Sequence, residues 1–511
     1  MKAYYLGLDN GGTTTKAAVY GEHGEEICTF SESTKVGVPR PDFAERDMDE
    51  MWESNCRVIK GVLKESGIDP KSIRAVAVCG HGKGLYLWGK DGRPVRPGIL
   101  STDNRAYAYP EKWRKSGAEA AAFRYTCQHI LASQPTSLLA WLADNEPWTI
   151  ERTKYIFACK DYIRFRLSGE ACAELTDYSG DGFVNLYTGD YDGRILRELG
   201  LSGVSGCLPP LVLSTERCGY VSRQAAIDTG LAEGTPIAGG MFDIDACAIA
   251  AGVTDTEHAC MVAGTWSINE LLLSEPVVDG RVLMNSMYCL PGYYLVEESS
   301  PTSAGNLAWY IKEMLKDLQD FFRKSGGNIY DEINSMVSSV PVEDFCPVFL
   351  PFIMASNVHP NARAGFVGVS AFHTRAHMTR SVYEGIAFSH RYHFDKLRKC
   401  IESEPKSIRL AGGASRSPVW VQMFADVMRL PVETVSAKET GALGAAMAAA
   451  VAAGDFADMY EAVDGMSRLG QPVTPDLTRS DLYDEKYELY IETINALDSV
   501  WDDMQKYVEE H

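Results

Sequence analysis

Positive charge is in short supply in this chain: of 511 residues, 49 are Lys or Arg against 69 Asp or Glu, which leaves a net charge of -20. A surface of that sign repels the phosphate backbone and anionic lipid headgroups, so neither nucleic acid nor membrane is an expected partner. Long apolar runs are also missing. The longest small-apolar stretch, GALGAAMAAAVAAG at 441–454, is too short to cross a bilayer. Asp9 breaks the N-terminal apolar segment where a signal peptide needs continuity. The 13 cysteines include no CxxC pair and neither a disulfide framework nor zinc spacing, so a reducing, cytoplasmic setting is expected. The phosphate loop GxxxxGK[ST] is absent too: its nearest approach, CGHGKGLY at 79–86, has Gly84 where Ser or Thr must follow Lys83. No GxGxxG opens a helix, which removes support for a nicotinamide enzyme.

What the chain does have is 45% hydrophobic residues, more than one core usually organises over this length, so two α/β domains are expected, 1–252 and 253–511. The stretch LGLDNGGTTTKAAVY, 6–20, reads strand, tight turn, strand, with Asp9 at the strand end and Lys16 beyond the turn. One reading is a hairpin turn in which Asp and Asn cap and the glycines supply positive φ. The other is an anion-binding concavity of backbone NH groups with hydroxyls from Thr13 and Thr14. A carboxylate beside phosphate then requires a divalent cation between them. A similar unit returns at 257–273, EHACMVAGTWSINELLL, as a divergent internal repeat with its seam near 251–257. In GGMFDIDACAIAAG, Asp243 and Asp245 stand at the mouth of a strand, where a carboxylate can take a proton from a hydroxyl, or where one of the two caps a helix. IRLAGGASRSPVWVQMF is a strand, a glycine turn and a helix opening at Ser415 or Ser417. The Ala/Gly-rich helix that follows must have a backbone packed closely against it. Two histidine pairs, His373 with His377 and His390 with His393, have helical metal-ligand spacing but no accompanying HExxH, and are read as packing residues.

Taken in order, Asp9, Asp243, the Gly264–Thr265 turn and AGGASRS make the sequence resemble the FGGY carbohydrate kinases over nearly its whole length. ILSTDNRA (99–106), KDYIRFRLSGE (160–170) and VYEGIAFSH (382–390) match family segments as well. SQPTSLLAWLADN follows the first signature except that Leu138 replaces the usual lysine. The resemblance implies two ribonuclease-H-like domains of the actin, hexokinase and Hsp70 type with a central cleft. It implies ATP and Mg2+ as cofactors, a small-molecule sugar as the partner, and an oligomeric state left between monomer and homodimer. By the same resemblance Gly11, Gly12, Thr13, Thr14 and Lys16 form a first phosphate motif, Gly264, Thr265 and Ser267 a second, and Gly412, Gly413, Ala414 and Ser417 an adenosine motif. Asp243 is the catalytic base, Asp9 and Asp243 are the carboxylates at the metal, and His81, Gly82, Lys83, Asp103 and Asp243 bind sugar. Gly82-Lys83-Gly84 is similar to the kinases of L-xylulose and 3-keto-L-gulonate, whereas D-xylulose kinases carry Gln-Met-His-Gly there. The alternatives are a D-xylulose or other polyol kinase and, from a different class, a nucleotide-switch ATPase of the same fold.

Overall fold

The computed structural model describes residues 2–356 and 358–510. The chain forms two compact units. The first contains residues 2–254 together with the returning segments Leu272–Val296 and Ser436–Arg468; the second contains Asp255–Leu271, Glu297–Val435 and 469–510.

In the first unit β1 (Tyr4–Asn10), β2 (Thr14–Gly21), β3 (Glu26–Ser33), β4 (Ile73–Gly80), β5 (Arg217–Tyr220), β6 (Pro236–Ala238) and β7 (Met241–Phe242) make one mixed sheet in the order β5-β6-β4-β1-β2-β3, with β7 also on β4. β1, β2 and β3 are antiparallel neighbours, whereas β4 is parallel to β1 and both β6 and β7 are parallel to β4. Leu6, Leu8, Ala17 and Val19 face the core, where Val58, Ile59 and Val62 of the helix Met48–Ser66 cover them. Asp47 starts that helix by accepting from Glu50 N, and Gly67 ends it in the left-handed conformation. On the same unit the helix Thr440–Ala453 is buried along almost its whole length, and its small residues let backbones meet. A Cβ on Gly7 of β1 would overlap the Ala442 carbonyl, and one on Gly444 would overlap the Ala246 carbonyl. These are the close approaches that its composition implies.

The other large sheet, most of whose residues belong to the second unit, holds β8 (His258–Ala263), β9 (Ser267–Leu273), β10 (Tyr294–Ser300), β11 (Ser407–Gly412) and β12 (Val432–Thr434) in the order β10-β9-β8-β11-β12. β8 and β9 form an antiparallel hairpin, and β11 and β12 continue parallel to β8. Hairpin first, then parallel strands on its outer side, is the plan of the first unit again. The repeat therefore lies in topology, where sequence identity no longer carries it. Among the described residues no helix is long and apolar enough to cross a membrane.

Candidate active site

Three parallel strands of the first unit end together. Asp9 of β1 and Met241 of β7 both pair with Cys79 of β4, and Asn10 and Phe242 both pair with Gly80. The register thus gathers Asp9, the segment His81–Gly84 and Asp243 at the carboxyl ends of the strands, where open α/β sheets place ligand sites. Burial pushes the Cys79 thiol well above its usual value, and the flanking Asp9 and Asp243 carboxylates push in the same direction. Asn10 stiffens this edge. Its side chain exchanges two hydrogen bonds with that of Asn55, and its carbonyl accepts from His81 N at 3.0 Å.

Beyond Asp9 the turn is closed by Gly11 N donating to Thr14 O at 3.0 Å. Neither Gly11 nor Gly12 has positive φ. Of the two readings of this turn, the one in which its glycines supply positive φ is not observed; a Cβ at Gly12 would meet nothing within 4 Å, so the space over its backbone is open. Thr13 is exposed, and Gly11, Gly12 and Thr14 are half-buried. Lys16 does not point freely toward this space. Its ammonium pairs with Glu439 at 2.6 Å and lies 4.0 Å from Asp9. Burial opposes its charge, but Asp9 and Glu439 outweigh burial and hold it above the usual lysine value. Burial also raises the Asp9 carboxyl against the pull of Lys16. Glu439, more than 400 residues away in sequence, was invisible to a local reading; the only signal is its place just before the glycine-rich helix.

Neither aspartate of the DID segment is the helix cap. Phe242 occupies that position, and Asp243 is the first residue of the helix Asp243–Ala250. Asp243 stays partly exposed, whereas Asp245 has no exposed surface. Asp245 accepts from Cys289 N at 3.1 Å, its other oxygen has no hydrogen-bond partner among the described residues, and burial drives its carboxyl well upward. A base that must meet a substrate hydroxyl has to be reachable, which separates Asp243 from Asp245.

Lys83 adopts φ 61°, a left-handed conformation that costs a non-glycine residue about 1 kcal/mol or more. The fold holds it there by specific contacts. Its backbone N–H donates to Asp181, and its ammonium reaches Gly180 O at 3.0 Å and Met284 Sδ at 2.8 Å over the face of Phe242. The reading in which Lys83 points to solvent is thus not the observed one. Gly82 is required beside it, because a Cβ there would run into the Phe242 ring. Burial raises Asp181 to about 6 and Asp177 to about 8. Asp177 belongs to a wholly buried cluster in which Lys160 pairs with Asp161, Glu174 and Asp177. His81 uses both ring nitrogens, on Tyr86 OH at 2.9 Å and on Gly82 O at 3.1 Å. Asp103 differs from the expected sugar ligand. Its side chain has no exposed surface and its oxygens accept from Arg105 and from Ala44 N, so here it supports the wall of the site from behind.

The second unit carries the other two motifs. Thr265 and Trp266 project from the β8–β9 turn, Gly264 is half-buried, and Ser267 is fully buried, its Oγ accepting from Asn269 Nδ2 at 3.2 Å. Ser267 therefore supports that turn from beneath. Ser417, rather than Ser415, opens the helix Pro418–Met428; it accepts from Trp420 N and donates to Asn334 Oδ1 at 2.7 Å. Beside it is a cavity of about 430 Å³ lined by Ala304, Tyr330, Asn334, Gly413, Ser417 and Trp420, with Tyr383 stacked on Trp420 at 4.1 Å. Gly412 and Ala414 shape the turn that borders it, Ala414 without exposed surface. Its size and flat aromatic wall suit a nucleoside. The histidine pairs bind side chains and backbone: His377 completes the cap at Thr374, His373 binds Ser370 N and Phe345 O, and His390 and His393 lie in the core. Among the described residues no group of three or more His, Cys, Asp or Glu is arranged to hold a metal.

The N-terminal domain of the FGGY family of carbohydrate kinases matches residues 4–250, and its C-terminal domain matches 259–453. An L-xylulose/3-keto-L-gulonate kinase of Escherichia coli (strain K12) is 35% identical over 97% of this chain and 98% of its own. A probable L-xylulose kinase of Pasteurella multocida (strain Pm70) is 34% identical over 97% and 99%. A xylulose kinase structure from Rhodospirillum rubrum superposes with a TM-score of 0.85 at 24% identity, covering 98% of this chain and all of that one, a likeness that bears on fold alone. With both domains matched along most of its length and relatives above 30% identity covering nearly all of it, the chain belongs to the FGGY family of carbohydrate kinases and is an ATP-using sugar phosphotransferase.

Proposed function

We propose that the acceptor is a ketose or keto-sugar acid, with L-xylulose or 3-keto-L-gulonate ahead of D-xylulose, phosphorylated at its terminal hydroxyl in the cytoplasm. The observation that carries this reading is Lys83. Its ammonium rests on a carbonyl, a thioether and an aromatic face; among the described residues no carboxylate is within ion-pair distance of it, and Asp181, which binds the Lys83 backbone N–H, is the acidic group that feels its charge. A half-buried cation with no carboxylate in direct contact with its ammonium favours an incoming carboxylate or an array of hydroxyl oxygens. The 35%-identical relative named for L-xylulose and 3-keto-L-gulonate points the same way.

In the proposed mechanism Asp243, partly exposed at the helix start, accepts the proton of the attacking hydroxyl as its oxygen bonds to the γ-phosphorus and the bond from that phosphorus to the β–γ bridging oxygen breaks, releasing ADP. The transition state is loose, so catalysis rests on positioning and on stabilising charge at the phosphoryl oxygens. In the first unit the turn NH groups of Gly12 and Thr13, beyond the Gly11 N–H that closes the turn, are the donors for phosphate; in the second unit those of Gly264–Thr265 play that part, and the cavity beside Ser417 takes the adenosine. Mg2+ normally takes one or two protein carboxylates plus phosphate oxygens, and would neutralise charge on those oxygens. Asp9 fits that requirement, being a half-buried carboxyl at the strand end whose ionised form desolvation disfavours until a cation lies beside it, with Lys16 shared between it and Glu439; Asp243 is the second carboxylate at that edge. Lys16 then tunes Asp9 and orders the strand end.

The test is ADP release by the purified protein with MgATP across L-xylulose, 3-keto-L-gulonate, D-xylulose and glycerol. The expected result is strong stimulation by the first two and little by glycerol. Equal ATP turnover with and without every acceptor would reject the reading.

A further inference from the structure

His390 and His393 stand on the helix Arg375–Arg398 with no exposed surface, and their hydrogen bonds run in one direction. Asn269 Nδ2 lies 3.2 Å from the Glu298 carbonyl, an atom that can only accept, so this end of the amide is the NH2. The other end, Oδ1, therefore faces His390 Nδ1 at 2.9 Å, and Nδ1 must carry the hydrogen. Burial, with neighbouring His393, pushes the imidazole down to about 3, so the ring is neutral and its Nε2 is an acceptor. Ser303 Oγ, 2.9 Å away, must then donate to it. Ser303 stands at the N-cap position of the helix Ala304–Met314 yet makes no capping bond with its side chain. A serine at a helix N-cap ordinarily bonds the helix's own backbone N–H groups, and here the hydroxyl is committed to His390.

Both ends of this relay meet the same turn. Through Asn269, whose NH2 also donates to Ser267 Oγ, His390 reaches the floor of the Gly264–Ser267 turn. Through Ser303 it fixes the first turn of a helix whose Gly305 packs so closely on Thr265 that a Cβ would come within 3.2 Å of its backbone oxygen. His393 anchors the preceding residues in parallel, binding Ser300 Oγ at 2.7 Å and the Glu298 carboxylate at 3.2 Å.

We propose that His390 is a positioning residue for phosphoryl transfer: by holding Asn269 under Ser267 and Ser303 beside Thr265, it keeps the Gly264–Ser267 turn in the form that receives the terminal phosphate of the nucleotide. The inference rests on the reading of that turn as a phosphate site. His390→Asn retains a polar atom near the Nδ1 position and so the link to Asn269, His390→Gln retains one near Nε2 and the link to Ser303, and Ser303→Ala cuts the second link with little loss of volume. The readouts are kcat, KM for MgATP and for sugar, and the ratio of affinities for a non-hydrolysable ATP analogue and for ADP.

Each variant should lower kcat/KM for MgATP about tenfold, the scale of a misaligned phosphate donor. The analogue-to-ADP affinity ratio should fall by a similar factor, while KM for sugar stays within about twofold. His390→Asn combined with Ser303→Ala should be no worse than either alone, since both cut one link. An affinity ratio and kcat/KM within about twofold of wild type in Ser303→Ala and in whichever His390 variants fold would overturn the proposal, whatever happens to melting temperature. If the wild-type protein phosphorylates no sugar, the proposed function fails, and the affinity ratio alone decides the role of His390.

Discussion

The two strand–turn–strand hairpins share a plan and differ in what lies behind the turn. In the first, β1 and β2 close at Asn10↔Thr15, and the backing is ionic and tightly packed: Asp9, Lys16 and Glu439, with the Thr440–Ala453 helix pressed onto Gly7. In the second, β8 and β9 close at Ala263↔Ser267, and the turn rests on a neutral relay of Asn269, His390 and Ser303, with the Glu298 carboxylate held one layer further back by His393 and Lys396. Charge behind the first turn suits a site that handles a cation and a proton. A neutral, hydrogen-bonded backing suits one that only has to hold donors in place. The repeat is thus one of architecture, and chemistry has separated the copies.

The largest expected effect comes from breaking the packing behind the first turn. Gly7→Ala sets a methyl against the Ala442 carbonyl and should cost up to about 3 kcal/mol, read by chemical denaturation, as overpacked cores do. A wild-type midpoint would mean that the helix does not seat on β1.

Next is the pH response of the second backing. With His390 depressed to about 3 when folded and near 6.5 when unfolded, the unfolded chain binds the extra proton between those values, so stability falls as pH falls. Relative to His390→Asn, the wild-type protein should lose about 1.4 kcal/mol per pH unit between roughly pH 6 and 4. Taking the difference matters, because Asp177, raised to about 8, contributes the opposite trend over the same range. A pH-independent difference would contradict a buried neutral His390.

A smaller effect separates the metal role of the first turn from its structure. Asp9→Asn should reduce turnover about tenfold at limiting Mg2+ and recover in part as Mg2+ is raised, with sugar KM little changed. A loss insensitive to Mg2+ would assign Asp9 to structure alone. Smallest is Lys83→Met, expected to raise KM for the preferred sugar about fivefold, most for an acidic one, and to leave KM for ATP alone. An unchanged sugar constant would remove Lys83 from substrate choice.

What could be read in the sequence was local. The turn at Gly11–Thr14, the strand-end Asp243 and the helix start at Ser417 are each written within a few residues, and the closely approached Ala/Gly helix could be recognised without knowing what approached it. What could not be read depends on distant pairing. Glu439 finds Lys16 across the chain, Gly7 and Ala246 turn out to be the neighbours of Ala442 and Gly444, and segments 272–296 and 436–468 return to the first unit. The histidine spacing of 390 and 393 suggested either metal or packing, and the answer needed Asn269, Ser300 and Ser303 from other elements. Ser267 and Asp103 were chosen as contacts from type and position; the structure shows both side chains buried and bonded to protein groups, which composition does not encode.

The most direct test of the account compares sugar-dependent ADP release by Asp243→Asn and Asp245→Asn. The account predicts that Asp243→Asn loses about a hundredfold or more in turnover while KM for sugar and ATP changes little, and that Asp245→Asn, replacing a buried carboxyl driven toward its protonated form, keeps most of its turnover. Near-normal turnover in Asp243→Asn alongside an inactive Asp245→Asn would contradict it.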